Sequence, residues 1–600
     1  MLLNKDIVTK NIFGMLILMT IFSCAKQTED KPVVKGDLSV DFQIEGIETN
    51  LDESSSLKLF GDTKQRTAES NSNSSMKLIA QQEIKQNGEA FDAVASVYEV
   101  TEGIRFSNTN TSSSSLQVKK ASVANKSLVA AKIDMLAGIK YRILIFDASD
   151  NFITSLDATV GTVPKFTEAL RNTTYKWKAY SYNTSSTITP AIPANPTPAQ
   201  LNIASSNVGG LLYASGSITT SNIKNDNNKV NILFKHQTAI IEVVFNGRGV
   251  FDRISVLEGA ANIPLYSGTF DLKGGNYVSY GTPTNSTNFV TSASTSAKND
   301  TIRSLTLYTV NAAQAIPTYS VQLSKLAFVT DLGVTKGYSN RIFIPNAQNP
   351  MLYSFTKSFT PELGKRYKII IDFLAPSRTV GGATGADWAY WNLFYNDVTK
   401  VYGFRHYNSN FYETGLPVTS THSGEYFNWK AAKPGHDQTS GVVDPCSLVY
   451  PAGRWKMPNQ AEFSTITAIP NSSLSTTYPR KSNARSGDPV RYINIVLAAG
   501  KFAPYDDFTN GLPMLLLGRR NVGSDAMTDY NTGSFSNSAV YYWTSDQFSA
   551  TNANYFTISN SSDVGTTMTV NNSLNMAKTN GMNIRCVRNK TFTTYTPNIN

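Results

Sequence analysis

The sequence is poor in the residues that carry covalent and metal chemistry. Among its 600 residues are three cysteines and four histidines. The histidines, His236, His406, His422 and His436, show no metal-site spacing. No His-Glu-x-x-His, Gly-x-Ser-x-Gly, Walker loop or dinucleotide fingerprint occurs, so the chain reads as a non-enzyme without a cofactor. A pair of carboxylates brought together only by folding would leave no such signature, and spacing does not test that class. Charged residues are sparse at 16%, and the formal charge of +10 is thinly spread. Its densest basic pairs, Lys119–Lys120 and Arg519–Arg520, are isolated, and no arginine-rich stripe interleaves with aromatics. This excludes nucleic acid as a partner. Helical patterns of any length are scarce. The one marked apolar run, near the start, is too short to span a bilayer comfortably. What is abundant is Ser, Thr and Asn beside 41% hydrophobic residues, the composition of a secreted all-β protein. A chain of this length exceeds one core and predicts three or four domains.

Lys5 and Lys10 precede the apolar run Ile12–Phe22, and small Ser23 stands before Cys24. The pattern resembles the lipobox of bacterial lipoproteins. That resemblance implies removal of residues 1–23 by cleavage between Ser23 and Cys24, acylation of Cys24, and anchorage in the outer membrane. Each buried methylene of an acyl chain contributes about 0.8 kcal/mol, so several chains hold a protein without a transmembrane helix. An ordinary signal peptide ending near a cysteine is the alternative. Residues 24–36 read as a tether, and Lys26, Glu29 and Asp30 resemble the export tag of Bacteroidetes surface lipoproteins. With Cys24 lipidated, Cys446 and Cys586 remain outside the cytoplasm. One disulfide would close a loop of about 140 residues and stabilise by about 5 kcal/mol in the chain-entropy model. Two buried thiols are the alternative, and the compartment disfavours them.

Along the chain, Leu38, Val40, Phe42 and Ile44 alternate with polar residues in Asp37–Glu45, predicting a half-buried strand. Residues 49–75 are a polar loop carrying Lys64 and Arg66. Tyr175, Trp177, Ala179 and Ser181 form one face of a further strand, whose aromatics read as sheet packing. Pro190, Pro193, Pro196 and Pro198 mark residues 184–200 as a stiff linker between domains 37–183 and 201–375. His236, inside an apolar strand pattern, reads as a core histidine. A Gly-rich linker, 376–384, leads to a third domain, 385–592, and a tail, 593–600. In that domain Asn459 with Glu462 three residues on predicts a helix start, with Ala461, Phe463 and Ile466 facing inward.

The stretches Gly210–Ile218, Val230–Phe245 and Gly364–Phe373, with Arg142–Phe152 and Asn172–Asn183, resemble the fimbrillin-like lipoproteins of Bacteroidetes, subunits of type V pili. The resemblance covers about residues 37–375. It implies two tandem transthyretin-like β-sandwiches, other pilus subunits as partners, and assembly by β-strand donation. It also implies proteolysis after a basic residue in a loop such as 49–75, for which Arg66 is the candidate; an ordinary exposed loop with no role in maturation is the competing reading.

Pro445-Cys446, then Gly453-Arg454-Trp455 with Met457-Pro458 and Glu462-Phe463, then Tyr541–Ser545, then Ile584–Arg588 occur in an order that resembles the Fibrobacter succinogenes major paralogous domain. That module looks like a divergent C-type lectin. The resemblance covers residues 385–592 and implies a Cys446–Cys586 pair and an α+β fold. Asp444 and Glu462 read as structural. The carboxylate-bearing triplets of calcium-dependent lectins are replaced by Met457-Pro458-Asn459 and Trp543-Thr544-Ser545, so calcium-dependent sugar binding is not expected. Asp525, Asp529 and Asp546 read as solvated loop carboxylates. Tyr390, Trp391, Tyr426 and Trp429 are candidates for stacking on a sugar, with core packing as the competing role. Two functions follow. One is a fimbrial tip or accessory subunit that binds a glycan or a host or bacterial surface protein. The other is a glycan-binding surface lipoprotein outside any pilus.

Overall fold

A computed structural model describes residues 36–48, 76–84, 92–100, 132–329, 351–404, 425–467, 474–475, 492–496 and 511–597, apart from short breaks within these ranges. The expected signal peptide, Ser23, Cys24, most of the expected tether, Lys64, Arg66, His406, His422 and Asp525 lie outside the described residues. The protein is mainly β, and its one described α-helix is Gln460–Thr467. No described helix is long and apolar enough to cross a membrane.

An eight-stranded sheet opens the fold. Its order is Lys132–Ile133, Leu38–Glu48, Asn227–His236, Leu212–Thr219, Thr174–Ser181, Lys140–Asp147 and Phe152–Thr159, with Lys165–Ala169 also paired to the first strand. One face packs Leu38, Val40, Phe42, Ile143, Ile145, Trp177 and Ile232 into a single core. Tyr175, Trp177, Ala179 and Ser181 are all buried, as their alternation predicts. The other face is covered as well: Leu144, Phe146, Tyr180 and Tyr213 pack with Ile188, Ile203 and Phe270. Burial on both sides is why Tyr141–Phe146 reads as a nearly continuous apolar run.

The second sandwich faces a five-stranded sheet, in the order Ile302–Thr309, Ala239–Gly249, Arg366–Leu374, Asp92–Val100 and Met76–Ile84, onto a four-stranded one. The latter runs Thr287–Thr291, Arg253–Asn262, Tyr319–Val329 and Met351–Phe355. Ala93, Ala95, Val97, Ile369, Ile371 and Phe373 meet Leu257, Val321 and Tyr353 in its core.

The strand partners correct the expected boundaries. The hairpin Met76–Ile84 and Asp92–Val100, assigned by sequence to the first domain, pairs with Arg366–Leu374 of the second. The first sandwich thus draws on strands within 38–48 and 132–236, with Phe270 and Leu272 covering its outer face, and the second on Met76–Ile84, Asp92–Val100 and strands between Ala239 and Leu374. The Pro-rich segment is not a free linker either. Arg142, almost wholly buried, donates to the Pro190 carbonyl at 2.6 Å and the Ile188 carbonyl at 2.9 Å, holding the segment against the first sheet.

The C-terminal domain is α+β. Ser377–Val380, Ala386–Ala389, Val587–Arg588 and Trp455–Lys456 form one sheet; Ala539–Gln547, Asn552–Asn560 and Met568–Ala577 form an antiparallel meander. Ser377–Val380 lies within the expected linker 376–384, but pairs with Ala386–Ala389 and so belongs to this domain. Phe463 and Ile466 of the helix are buried, whereas Ala461 is exposed. Ala461 stands about 200° around the helix from Phe463, so it cannot share the face that the 463/466 stripe presents to the core.

Candidate functional site

The first strand is the element whose setting has the clearest functional content. It lies parallel to Asn227–His236, pairing Ser39 with Asn227 and Ile44 with Ile232. Its other edge meets Lys165–Ala169 and Lys132–Ile133. Leu38, Val40 and Phe42 are about 1% exposed, and Phe42 sits edge-on to Trp177 with ring centroids 6.5 Å apart. The register slips between Ile44 and Gly46. Gly46 has φ +136°, and a Cβ there would stand 2.5 Å from the Ile133 carbonyl oxygen, so only glycine fits the bulge. The slip puts Ile47, not Ile44, fully into the core.

Charge pairs sit along the strand. Asp37 accepts from Arg171 Nε at 3.0 Å, Asp41 lies 3.3 Å from Lys165 Nζ, and Glu48 lies 2.9 Å from Lys235 Nζ. The hydrogen bond from Arg171 holds the Asp37 carboxyl below the usual carboxylate range. These partners escaped the sequence reading because each lies far from its mate along the chain. Gly36 completes the entry: a Cβ there would be 1.9 Å from the Ala169 carbonyl oxygen, so the backbone passes at a distance only glycine allows.

In the C-terminal domain Cys446 and Cys586 are joined, fully buried, with Cα atoms 5.8 Å apart. Asp444 accepts from the Cys446 amide at 2.9 Å and the Met457 amide at 2.8 Å, tying the cysteine turn to the Trp455–Lys456 strand. Burial pushes its carboxyl up, against those two amides. Asn459 and Glu462 form a reciprocal capping box, each side chain accepting from the other's amide at 2.8 Å. Both carboxylates therefore have structural partners.

The four candidate stacking residues do not form a surface. Tyr390 is 7% exposed, Trp391 3%, Tyr426 0% and Trp429 4%, and all lie in one core with Cys446 and Cys586. Tyr426 donates to the Leu517 carbonyl at 2.6 Å and Trp429 Nε1 to the Thr544 carbonyl at 2.8 Å. Large rings fill the interior of this domain, and density of aromatics in sequence registers that volume. The aromatic basis for a glycan platform is removed. Asp546 accepts from the Gln460 amide, and Asp529 accepts from Tyr541 at 2.6 Å. Among the described residues no group of His, Cys, Asp or Glu is placed to hold a metal ion.

His236 is largely buried, and its Nδ1 has no partner among the described residues. Burial, and secondly the charge of Arg366, push its imidazole down to about 4.

No protein-family model matches the chain, and no curated protein does. Similar solved structures include a candidate cell adhesion protein from Bacteroides fragilis, 16% identical, with a TM-score of 0.27, covering 43% of this chain and 88% of that one. Another from Bacteroides ovatus is 14% identical, with a TM-score of 0.28, covering 41% and 87%. The fimbrial anchor protein Mfa2 from Porphyromonas gingivalis is 10% identical, with a TM-score of 0.20, covering 39% and 95%.

Proposed function

We propose that the chain is a surface-exposed fimbrial tip or accessory subunit that mediates adhesion, held in the outer membrane through Cys24 until it is cut and then assembled by β-strand donation. The observation that carries this reading is the seat of the first strand. It lies between strands remote in sequence, and residues 49–75 separate it from the next described strand. Burial of Leu38, Val40, Phe42 and Ile47 stabilises it by about 6–12 kcal/mol, at about 1.5–3 kcal/mol per side chain. An uncut chain therefore keeps its own groove filled and stays monomeric. Cleavage after Arg66 makes the strand a separate peptide, and its departure opens a groove with alternating apolar pockets and two hydrogen-bonding edges. The donor strand of another pilus subunit refills it, with apolar side chains at the positions of Leu38, Val40 and Phe42. The C-terminal domain serves as the binding head for a glycan or surface protein.

The test replaces Lys64 and Arg66 together by Gln and follows incorporation into surface filaments. The expected result is an intact chain that is exported but left out of filaments. Incorporation at the wild-type level overturns the strand-exchange reading.

A further inference from the structure

The C-terminal domain sits on the outward face of the five-stranded sheet, and the contact has two chemically different halves. Asn246, Asp372, Val94 and Glu83 stand opposite one another across its strands, forming a row over that face. Such a row would ordinarily meet water, since Ile369, Ile371 and Phe373 already face the core. Instead Asn246 and Asp372 are 0% exposed and Asp92 3%.

The first half is matched in charge. Arg454 Nη2 lies 3.1 Å from Glu83 Oε1 and 3.3 Å from Asp92 Oδ2. Arg588 Nη1 lies 3.2 Å from Asp92 Oδ2, and its Nη2 pairs with Glu83. Pairing of Trp455 with Arg588 across two strands holds the guanidinium groups side by side. Burial pushes the Glu83 carboxyl up, but the two arginines together bring it below its ordinary value. The ion pairs therefore persist across neutral pH.

The second half is not matched. Asp372 accepts from Tyr595 and Asn246, and at 3.4 Å from Tyr450, all neutral donors. Tyr595 belongs to the segment expected as a tail, and its carbonyl accepts from Gln81 Nε2 at 3.1 Å, so it straps the C-terminal domain to the second sandwich. The titratable and charged groups facing Asp372 are Tyr595, Tyr450, Tyr98 and, at longer range, Arg248; Arg454 faces Tyr595 in turn.

We propose that this junction is a clamp whose charge-matched half is permanent and whose Asp372 half is released as pH rises, freeing the Tyr595 strap and loosening the C-terminal domain. Burial, offset in part by Tyr595, Asn246 and Tyr450, pushes the Asp372 carboxyl from 3.8 up to about 7. When undocked, the carboxyl returns to its ordinary range. The docked state therefore binds the extra proton between those values, and docking weakens as pH rises through the window. From pH 5 to pH 8 the docking equilibrium falls about 100-fold by this linkage.

The test is hydrogen exchange of residues 589–597 in the full chain at pH 5 and pH 8, corrected for the intrinsic pH dependence of exchange. Protection in the wild type should fall by at least ten-fold. Asp372→Asn, which keeps the acceptor and removes the charge, should abolish the fall. Tyr595→Phe removes one donor to the carboxylate and should move the midpoint to higher pH while leaving the fold intact. Arg588→Gln should reduce protection at both pH values alike. Equal protection of the wild type at the two pH values, or an undiminished fall in folded Asp372→Asn, overturns the proposal.

Discussion

Phe42→Ala tests where the first strand lies. Phe42 is about 1% exposed and lies edge-on to Trp177, so truncation leaves a cavity between two strands far apart in the chain, Leu38–Glu48 and Thr174–Ser181. Removing a buried phenylalanine costs about 3–5 kcal/mol. Its neighbour Lys165 pairs with Asp41 from a side chain that is 55% exposed, and an ion pair so screened contributes about 0–1 kcal/mol. The two substitutions thus separate core packing from surface charge. Trp177 is the natural reporter: the other tryptophans, Trp388, Trp391, Trp429, Trp455 and Trp543, all belong to the C-terminal domain. Urea unfolding followed by fluorescence, with a Trp177→Phe companion subtracted, isolates the first sandwich. With a urea slope of about 2 kcal/mol per molar, Phe42→Ala should lower the Trp177 midpoint by about 2 M, and Lys165→Gln by under about 0.5 M. An unmoved Trp177 midpoint, or an equal fall in the C-terminal transition, would refute the placement of the strand.

Three further outcomes are expected. His236 is depressed to about 4, so its neutral form is the folded one; stability present above about pH 6.5 should be lost as pH falls toward 4, by at most about 3 kcal/mol, and His236→Gln should flatten that dependence in urea midpoints taken at pH 7 and pH 5. Asn459→Ala removes the acceptor for the Glu462 amide and should destabilise the C-terminal domain by about 1 kcal/mol in calorimetry, whereas an unchanged transition would mean the capping box is energetically idle. Cys24→Ala should abolish acyl labelling and leave uncleaved precursor; labelled, processed protein from that variant would remove the lipid anchor.

Local pattern in the sequence determined the strands themselves. A side chain's alternation is a property of its own backbone, so Leu38, Val40 and Phe42, or Tyr175, Trp177 and Ala179, announce a buried face without reference to any partner. The capping box of Asn459 and Glu462 is equally local and was equally legible. Alternation does not say what covers the buried face. Only the tertiary structure decided that the strand at 38–48 lies beside 227–236, that the 76–100 hairpin completes the second sandwich, and that Tyr390, Trp391, Tyr426 and Trp429 fill a core. The same holds for Asp372, which reads in YKIIIDF as the polar residue of an ordinary strand. Its burial comes from Tyr450 and Tyr595, more than seventy residues away, and desolvation by so distant a partner leaves no trace in the spacing of nearby residues.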